Sequence, residues 1–212
     1  AALNTQLREG KPELLSREAM LFGSVYYLDP AITGVAVFAK HREALADLRN
    51  HFGSGDCRFR FQFIAAAQPA GSEASFRSDA PLLQHNVKPK MIPSTAKGKK
   101  AFTEFKRMAE SPKGWALWEA SVDFFRPHQV RAHAAVHEIP VMGDALYGGA
   151  EAPTQRELHP KKQRAGLNLP SFHGLALHLT EVQLIPGDPD ATILCDSPKH
   201  LRLLIRRMGL AE

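Results

Sequence analysis

The sequence is poor in cysteine and has no long apolar segment. Cys57 and Cys195 are its only cysteines, and two residues so placed form neither a disulfide framework nor a metal-binding motif. No run reaches the roughly eighteen apolar residues of a membrane span. The first ten residues also lack the basic start and apolar core of a secretory signal. These absences argue against membrane and secreted proteins and favour a reducing compartment, the cytoplasm or an organelle.

The chain also lacks an initiator methionine and any internal repeat. Because it begins with Ala1, we expect the natural N-terminus to lie further upstream. The chain has 212 residues, of which 44% are hydrophobic and 23% are charged. This composition is ordinary for a soluble globular protein. The length allows one large domain or two small ones.

Acidic residues are scarce in one stretch, between residues 88 and 107. Glu104 is its only acid, and the basic residues there are Lys88, Lys90, Lys97, Lys99, Lys100, Lys106 and Arg107. A second basic cluster comprises Arg156, Lys161, Lys162 and Arg164. Such clusters attract phosphate backbones. Taken alone, these clusters are better explained as a solvated surface that keeps the protein soluble.

Hydrophobic periodicity predicts several strands. Residues 25–28 and 35–39 read as two short strands around a turn at residues 29–34, where Pro30 and Gly34 favour a change of direction. Apolar and polar residues alternate from Arg58 to Phe63, as they do in residues 116–124 and 175–179. Each of these segments is typical of a strand with one buried face.

Three segments read as helices. The first covers residues 41–52, with Gly53 as its cap. The second covers residues 128–136, with Pro127 at its first position, and the third follows Ser197 as cap and ends at Gly209. Strands outnumber helices and show no regular β-α-β alternation. The sequence therefore predicts an α+β fold with a mixed, mainly antiparallel central sheet and flanking helices.

Asp29 is the first candidate for chemistry. It follows an apolar segment and precedes Pro30, so a turn should present it at the edge of a sheet. Its carboxylate can simply accept local backbone N–H groups, as turn aspartates often do. A catalytic carboxylate in a cleft that excludes water would instead need a cation to keep it ionised.

Arg131 can supply that cation, because a guanidinium binds a carboxylate through two parallel hydrogen bonds and stays protonated. His128 lies three residues earlier and would share its helix face. Arg131 can alternatively extend along the surface. His128, His133 and His137 are not accompanied by the carboxylate or cysteine that would complete a metal site, so no metal is expected.

Residues 125–148 resemble the signature of RluA-type pseudouridine synthases. The family pattern reads Gly-Arg-Thr-His-Gln-Ile-Arg-Val-His, followed by Gly-His-Pro-Val-Val-Gly-Asp-Pro-Leu-Tyr-Gly. Residues 27–34, followed by Phe38-Ala39-Lys40, are similar to the family's catalytic segment His-Arg-Leu-Asp-x-x-Thr-Ser-Gly and its Phe-Ala-Lys. Residues 98–105 and Leu177-His178 resemble two further family motifs.

The resemblance implies an isomerase that converts a uridine of ribosomal or transfer RNA to pseudouridine without cofactor or metal. Asp29 matches the catalytic aspartate, which is the nucleophile or the ribose C2′ base, and Arg131 matches its ion-pair partner. Phe63 falls where the family has a tyrosine that packs against the base. The resemblance further implies that the following residues contact the RNA: Tyr27, Phe63, Lys99, Lys100, Arg126, His128, Gln129 and Val130.

The chain departs from the pattern at three places. Tyr26-Tyr27 replaces His-Arg, Phe63 replaces the tyrosine, and nothing matches the family's early Lys-Pro-x-Gly segment. We therefore expect a single catalytic domain over residues 1–212, monomeric, without its first strand segment and without an S4-like domain. The same departures motivate an alternative: a catalytically impaired relative that binds RNA or assists ribosome assembly. An unrelated hydrolase using Asp29 with His128 is the third interpretation.

Overall fold

A computed structural model describes residues 2–16, 18–158, 168–185 and 188–211. Lys161, Lys162 and Arg164 of the second basic cluster lie outside these residues. The helices are α1 (Ala2–Arg8), α2 (Pro12–Leu15), α3 (Arg42–Ser54), α4 (Gln129–Val136), α5 (Gln155–Leu158) and α6 (Lys199–Met208), with a 3₁₀ turn at Pro189–Ala191. The strands are β1 (Gly23–Ser24), β2 (Thr33–Gly34), β3 (Phe38–Ala39), β4 (Arg58–Ala66), β5 (Ser75–Ser78), β6 (Leu82–Gln84), β7 (Met91–Pro93), β8 (Thr103–Ser111), β9 (Trp115–Val122), β10 (Leu177–Gln183) and β11 (Thr192–Leu194).

The main sheet has the strand order β11-β10-β4-β9-β8-β5, and β2 joins it by pairing with β10. Neighbours along that order are antiparallel, whereas β2 runs parallel to β10, with Thr33 opposite His178. The α+β fold with a mixed, mainly antiparallel sheet is therefore confirmed. The β2–β10 pairing places the segment that carries Asp29 at the edge of this sheet, beside the start of β10.

The centre of the sheet is buried on both faces. Phe59, Phe61 and Phe63 alternate along β4 and pack on one face with Trp118 of β9, as the periodicity predicts. Ile64 points the other way, into a second cluster built with the apolar stripe of α6. That stripe consists of Leu201, Leu204, Ile205 and Met208. A sheet covered on both faces gives the site a rigid floor.

Some predicted bounds are wrong. Residues 25–28 form no strand, because Val25 and Tyr26 turn into the core, where the Tyr26 ring packs edge-on against Phe59 and Phe125 at centroid distances of 5.2 and 5.4 Å. The short strands form further out instead, with β1 paired to β3. Packing of the bulky side chain outweighs the strand pattern here.

Helix boundaries differ for local reasons. Gly53 lies inside α3, and Gly55 ends it in a left-handed conformation at φ 79°. Pro127 precedes α4 rather than starting it, since His128 is the residue before the first helical turn and has φ 55°. Ser197 does not cap α6: its hydroxyl lies 3.3 Å from the side-chain oxygen of Gln62. The predicted end at Gly209 is confirmed.

No helix among the described residues has the length and apolarity needed to cross a membrane. Cys57 and Cys195 are free thiols.

Candidate active site

A cleft of about 320 Å³ lies between the segment around Asp29 and the start of α4. Its walls come from two distant parts of the chain and from the floor of the sheet. The lining residues are Tyr27, Leu28, Asp29, Ile32, Phe61, Phe125, Arg126, Pro127, His128, Gln129, Val130 and Arg131. We call it the Asp29 cleft. It combines apolar walls with a few converging polar groups, which is the usual character of a small-molecule or nucleotide site.

The Asp29 carboxylate uses its two oxygens differently. Oδ1 accepts a hydrogen bond from the Ala31 N–H at 2.9 Å, which shapes the turn. Oδ2 accepts from Arg131 Nη1 at 2.5 Å and lies 3.0 Å from His128 Nε2. The turn interpretation and the ion-pair interpretation of Asp29 therefore both hold. The side chain retains 11% exposure, so the carboxylate is held in place yet remains open to the cleft.

Arg131 connects two carboxylates. Its Nε and Nη2 donate to the two oxygens of Asp144 at 2.7 Å each, and its Nη1 donates to Asp29. Arg131 and Asp144 are 7% and 2% exposed. Burial acts to lower the pKa of Arg131, but the hydrogen bonds and charges of Asp144 and Asp29 outweigh it and raise that pKa above its ordinary value. The guanidinium therefore stays charged and keeps a fixed orientation toward Asp29.

His128 lies between Asp29 and Tyr147. Its Nδ1 is 3.2 Å from the Tyr147 hydroxyl, which also accepts a hydrogen bond from the Met91 N–H at 2.7 Å. Burial and the charge of Arg131 lower the pKa of His128, although Asp29 and Asp144 oppose this. The neutral imidazole is favoured, and a proton on Nε2 would face the Asp29 carboxylate.

Tyr147 packs beside Arg131 and His128. Its ring lies 5.1 Å from the Arg131 guanidinium carbon, and burial raises the pKa of its hydroxyl to about 12. The phenol is therefore protonated at neutral pH and acts as a fixed dipole rather than a charge. The ring also shields Arg131, which strengthens the interaction of Arg131 with Asp29.

The start of α4 is fixed to the sheet by buried hydrogen bonds. The Gln129 side chain accepts the Arg126 N–H at 3.0 Å and donates to the Phe102 carbonyl at 2.7 Å. His133 lies 2.9 Å from the Thr103 hydroxyl and, through its other nitrogen, 2.9 Å from the Ala80 carbonyl. These contacts set the position from which Arg131 reaches Asp29.

The other predicted site residues fall into two groups. Tyr27 is 63% exposed at the mouth of the Asp29 cleft. Arg126 lines the cleft and donates from Nε to the carbonyl of Lys100 at 2.8 Å, so the exposed Lys99-Lys100 pair lies beside the rim. Gln129 and Val130 line the cleft but are 2% and 4% exposed, so both chiefly build the wall.

Phe63 lies in the core rather than along the cleft. It is 1% exposed, and its ring packs 6.0 Å from that of Phe105. Phe61, two residues earlier on the same face of β4, lines the cleft instead. Side chains on one face of a strand sit about 7 Å apart, so a shift of two residues changes which ring reaches the site.

Sequence reasoning did not assign roles to Asp144 and Tyr147, although both belong to the recognised signature. The Gly-Asp turn near a helical arginine was the available signal. Gly143 has φ 81°, and a Cβ there would lie 2.0 Å from the Gly174 carbonyl oxygen, so glycine is required for this turn to place Asp144 under Arg131. Within the described residues, no group of three or more His, Cys, Asp or Glu side chains could hold a metal ion.

Three curated proteins that are similar to this chain are all named pseudouridine synthases. The chain is 29% identical over 175 residues to an uncharacterized RNA pseudouridine synthase, YhcT, of Bacillus subtilis, which covers 82% of this chain and 51% of that protein. It is 29% identical over 195 residues to ribosomal large subunit pseudouridine synthase D of Zymomonas mobilis, covering 90% and 57%. Chloroplastic RNA pseudouridine synthase 2 of Oryza sativa is 29% identical over 163 residues, covering 74% and 36%.

The chain is thus similar in sequence to RNA pseudouridine synthases. The resemblance to the RluA type is thereby confirmed, although no protein-family model matches the chain. The chain spans about half the length of the first two of these relatives.

Solved structures agree in fold with this family. Human RNA pseudouridylate synthase domain containing 4 superposes with a TM-score of 0.69 at 17% identity, over 96% of this chain and 80% of that chain. Human RNA pseudouridylate synthase domain containing 1 gives a TM-score of 0.60 at 15% identity, over 84% and 69%. At these identities the likeness supports the α+β fold alone.

Proposed function

We propose that this chain is the catalytic domain of an RNA pseudouridine synthase in which Asp29 acts on the target uridine. The observation that carries the proposal is the Asp29 carboxylate, which its hydrogen bond from Arg131 holds in place in a partly enclosed cleft. The relatedness to pseudouridine synthases supports the reaction type. One domain over residues 1–212, acting as a monomer, completes the proposal.

The reaction is an isomerisation and balances without a co-reactant. The bond from uracil N1 to ribose C1′ breaks, the base turns, and a bond from C5 to C1′ forms. A proton leaves C5 and N1 gains one, so no oxidant, reductant or cofactor is consumed. Asp29 reacts with the ribose, either as a nucleophile that attacks C1′ or as a base that removes a proton from C2′. Both roles require the carboxylate to be ionised when the nucleotide arrives.

The neighbouring side chains position Asp29. Arg131 holds one carboxylate oxygen and is itself held by Asp144, so Asp29 cannot turn away from the cleft. His128 contributes a neutral, polar contact to the same oxygen. Fixed hydrogen-bond donors around a reactive group reduce the reorganisation that the reaction would otherwise need.

The substrate must present its uridine outside a base-paired stack, because the cleft is too enclosed for a duplex. Tyr27, exposed at the mouth of the cleft, offers an aromatic face to the base, and Phe61 forms part of the apolar wall. Arg126, Lys99 and Lys100 lie at the rim, where the phosphate backbone would pass. We take ribosomal RNA as the first substrate class, since several relatives carry names for ribosomal large subunit synthases. Transfer RNA is the second class, and the cytoplasm or an organelle such as the chloroplast is the expected compartment.

The test is incubation with uridine-labelled ribosomal or transfer RNA, followed by mapping of pseudouridine. Asp29→Asn should lower the rate by at least about 10²- to 10⁴-fold, because the amide removes the charge but keeps the shape. Asp56→Asn is the matched control, since the Asp56 carboxylate is exposed, lies 3.6 Å from His51 and does not line the Asp29 cleft. Wild-type activity that survives Asp29→Asn would refute the mechanism. RNA binding by a wild-type protein that makes no pseudouridine would favour the binding-factor alternative.

A further inference from the structure

A second cleft of about 390 Å³ opens beside the Asp29 cleft, at the ends of β8 and β9. We call it the Phe102 cleft. It contains two partly exposed aromatic rings, a cation and two carboxylates, none of which has a role in the proposed reaction. Its lining residues are Arg77, Phe102, Glu104, Ser121, Val122, Asp123 and Phe124.

Cations lie over both of its rings. The Arg77 guanidinium is 4.3 Å from the centroid of the Phe102 ring, and Lys100 Nζ is 5.0 Å from the same centroid. The Arg126 guanidinium lies 5.6 Å from the Phe124 ring centroid. Arg77 and Lys100 are exposed, so water or a ligand can replace either of them at the rings. Aromatic faces and guanidinium planes are the two surfaces on which proteins stack unpaired bases.

The two clefts share a wall. Arg126 lines the Asp29 cleft while covering Phe124 of the Phe102 cleft. Gln129, in the wall of the Asp29 cleft, donates to the carbonyl of Phe102. Phe124 and Phe125 are consecutive residues that face the two different clefts. The two clefts are therefore adjacent, within reach of neighbouring nucleotides of one RNA strand.

The carboxylates of the Phe102 cleft decide which part of the RNA fits there. Glu104 stands opposite Arg77 across the β5–β8 pair, and Asp123 contacts Arg58 at 3.6 Å. Two carboxylates repel a phosphate, but they accept hydrogen bonds from the amino and imino groups of a base. Aromatic rings add stacking to that recognition. The rings and carboxylates of the cleft thus suit a nucleobase.

We propose that the Phe102 cleft is a second base-binding subsite, which stacks an unpaired base close to the target uridine on the same RNA strand. The proposal rests on the proposed function for the identity of the ligand as RNA. It assigns a substrate contact to Arg77, Phe102 and Phe124. It also makes the sequence context of the uridine part of what this protein recognises.

The experiment measures binding in the Asp29→Asn background, where the chemical step is removed. The probe is a short single-stranded RNA with one central uridine, together with versions in which each neighbouring nucleotide is made abasic in turn. The proteins compared carry Phe102→Leu, which keeps an apolar side chain without a ring, or Arg77→Gln. Arg206→Gln on α6 is the control for loss of one exposed positive charge. Dissociation constants are measured at one low salt concentration.

In the Asp29→Asn protein without cleft substitutions, removal of one particular neighbouring base should weaken RNA binding by about 5- to 100-fold. This is the range for one stacked base. The same removal should have little effect in the Phe102→Leu protein, because the base has already lost its partner. Arg77→Gln should reduce the effect of base removal, whereas Arg206→Gln should leave it intact. Arg77 is exposed, so Arg77→Gln should not impair folding. It therefore still tests the subsite if Phe102→Leu does not fold.

The subsite is refuted if removal of a base weakens binding equally in the Asp29→Asn parent and in both cleft variants. It is also refuted if no neighbouring base affects the dissociation constant. This outcome is separate from failure of the proposed function. A wild-type protein that makes pseudouridine but shows no such coupling loses only the subsite. A protein that shows the coupling but makes no pseudouridine loses only the proposed reaction.

Discussion

At the scale of single residues, Arg131 is the group on which the site depends. It is one cation shared by two carboxylates, of which Asp144 is buried and Asp29 faces the cleft. The two hydrogen bonds to Asp144 fix the plane of the guanidinium, and the third donor then points at Asp29. Loss of Asp144 would therefore disturb Asp29 without any contact between the two carboxylates.

Asp144→Asn tests this arrangement. We expect the free energy of unfolding to fall by about 3 kcal/mol, because a buried cation loses the more buried of its two charged partners. Pseudouridine formation should fall as well, since Arg131 is free to turn. Urea unfolding and the activity assay measure the two effects. Asp56→Asn is the control, as its exposed contact with His51 should contribute less than about 1 kcal/mol. An unchanged midpoint for Asp144→Asn would contradict the anchoring role.

The sequence could predict part of this group and not the rest. Asp29 and Arg131 were predictable as partners because each carries a charge that the other needs and each lies in a recognised motif. Asp144 was not, since its place under Arg131 depends on the left-handed turn at Gly143. The choice between Phe61 and Phe63 was also beyond the sequence, because both occupy the same face of β4 and only the position of the cleft distinguishes them.

At the scale of elements, β2 holds the segment that carries Asp29. It is only two residues long, yet it pairs in parallel with β10. The Thr33 hydroxyl and His178 Nδ1, 2.8 Å apart, reinforce the pairing. Gly34 has φ 137°, and a Cβ there would lie 2.5 Å from the Leu179 carbonyl oxygen. The closeness of the two strands therefore requires glycine at this position.

Gly34→Ala should separate β2 from β10. We expect a loss of about 1–3 kcal/mol in the free energy of unfolding from the steric conflict, and a larger fractional loss of activity because Asp29 moves with the strand. Denaturant titration and the pseudouridine assay give the two values. Gly53→Ala is the matched control: Gly53 lies inside α3 with open space around it, so alanine should stabilise the protein by up to about 1 kcal/mol. Full activity in Gly34→Ala would show that β2 does not position Asp29.

Helix α4 and its ends carry three histidines with lowered pKa values. Burial is the main cause for His128, His133 and His137 alike. The folded protein therefore binds fewer protons than the unfolded chain once the pH falls below about 6.5. Stability rises with pH wherever the unfolded state binds more protons. The contribution of these groups is thus fully present above that pH and is lost as the pH falls toward their folded pKa values.

Unfolding experiments between pH 7 and pH 5 check the sign. The free energy of unfolding should fall with pH in wild type, by up to about 1.4 kcal/mol per pH unit for each histidine involved. His133→Gln should reduce that slope, because glutamine can contact Thr103 and Ala80 without titrating. A slope that is flat in wild type, or identical in the variant, would contradict the assignment.

The sequence predicted helices and strands correctly where burial of apolar side chains dominates. The alternating phenylalanines of β4 and the apolar stripe of α6 are deep in the core, so burial decides their structure. The prediction failed at residues 25–28, where Tyr26 turns into an aromatic cluster contributed by Phe52, Phe59 and Phe125. Contacts between such distant segments leave no local pattern from which they could be read.

At the scale of the whole molecule, charge should govern the approach of the proposed RNA substrate. The net charge is +5, and Lys99 and Lys100 are exposed beside the rim of the Asp29 cleft. Helix α6 packs against the sheet face opposite to the phenylalanines of β4. Basic residues on α6 therefore lie away from the floor of the site. Replacing two of them gives a control protein with the same net charge as a protein that lacks Lys99 and Lys100.

Replacing Lys99 and Lys100 together by glutamine should weaken RNA binding and reduce the slope of log affinity against log salt by roughly 1 to 1.5. The reason is that each lost phosphate contact releases about 0.7 fewer counterions on single-stranded RNA. Titrations at several salt concentrations measure it. Arg206→Gln with Arg207→Gln removes the same charge from α6 and should change the slope much less. Equal changes in the two double variants would mean that RNA responds to net charge and not to the rim.

The pairing of β2 with β10 has a consequence for biosynthesis. Asp29 and Arg131 are 102 residues apart, and Thr33 is 145 residues from its partner His178. A nascent chain that has emerged through α4 already contains both members of the ion pair, but it still lacks the strand against which β2 lies. The site therefore assembles late, after β10 has left the ribosome. Translation products that stop before β10 would hold every residue of the ion-pair group and still be unable to act.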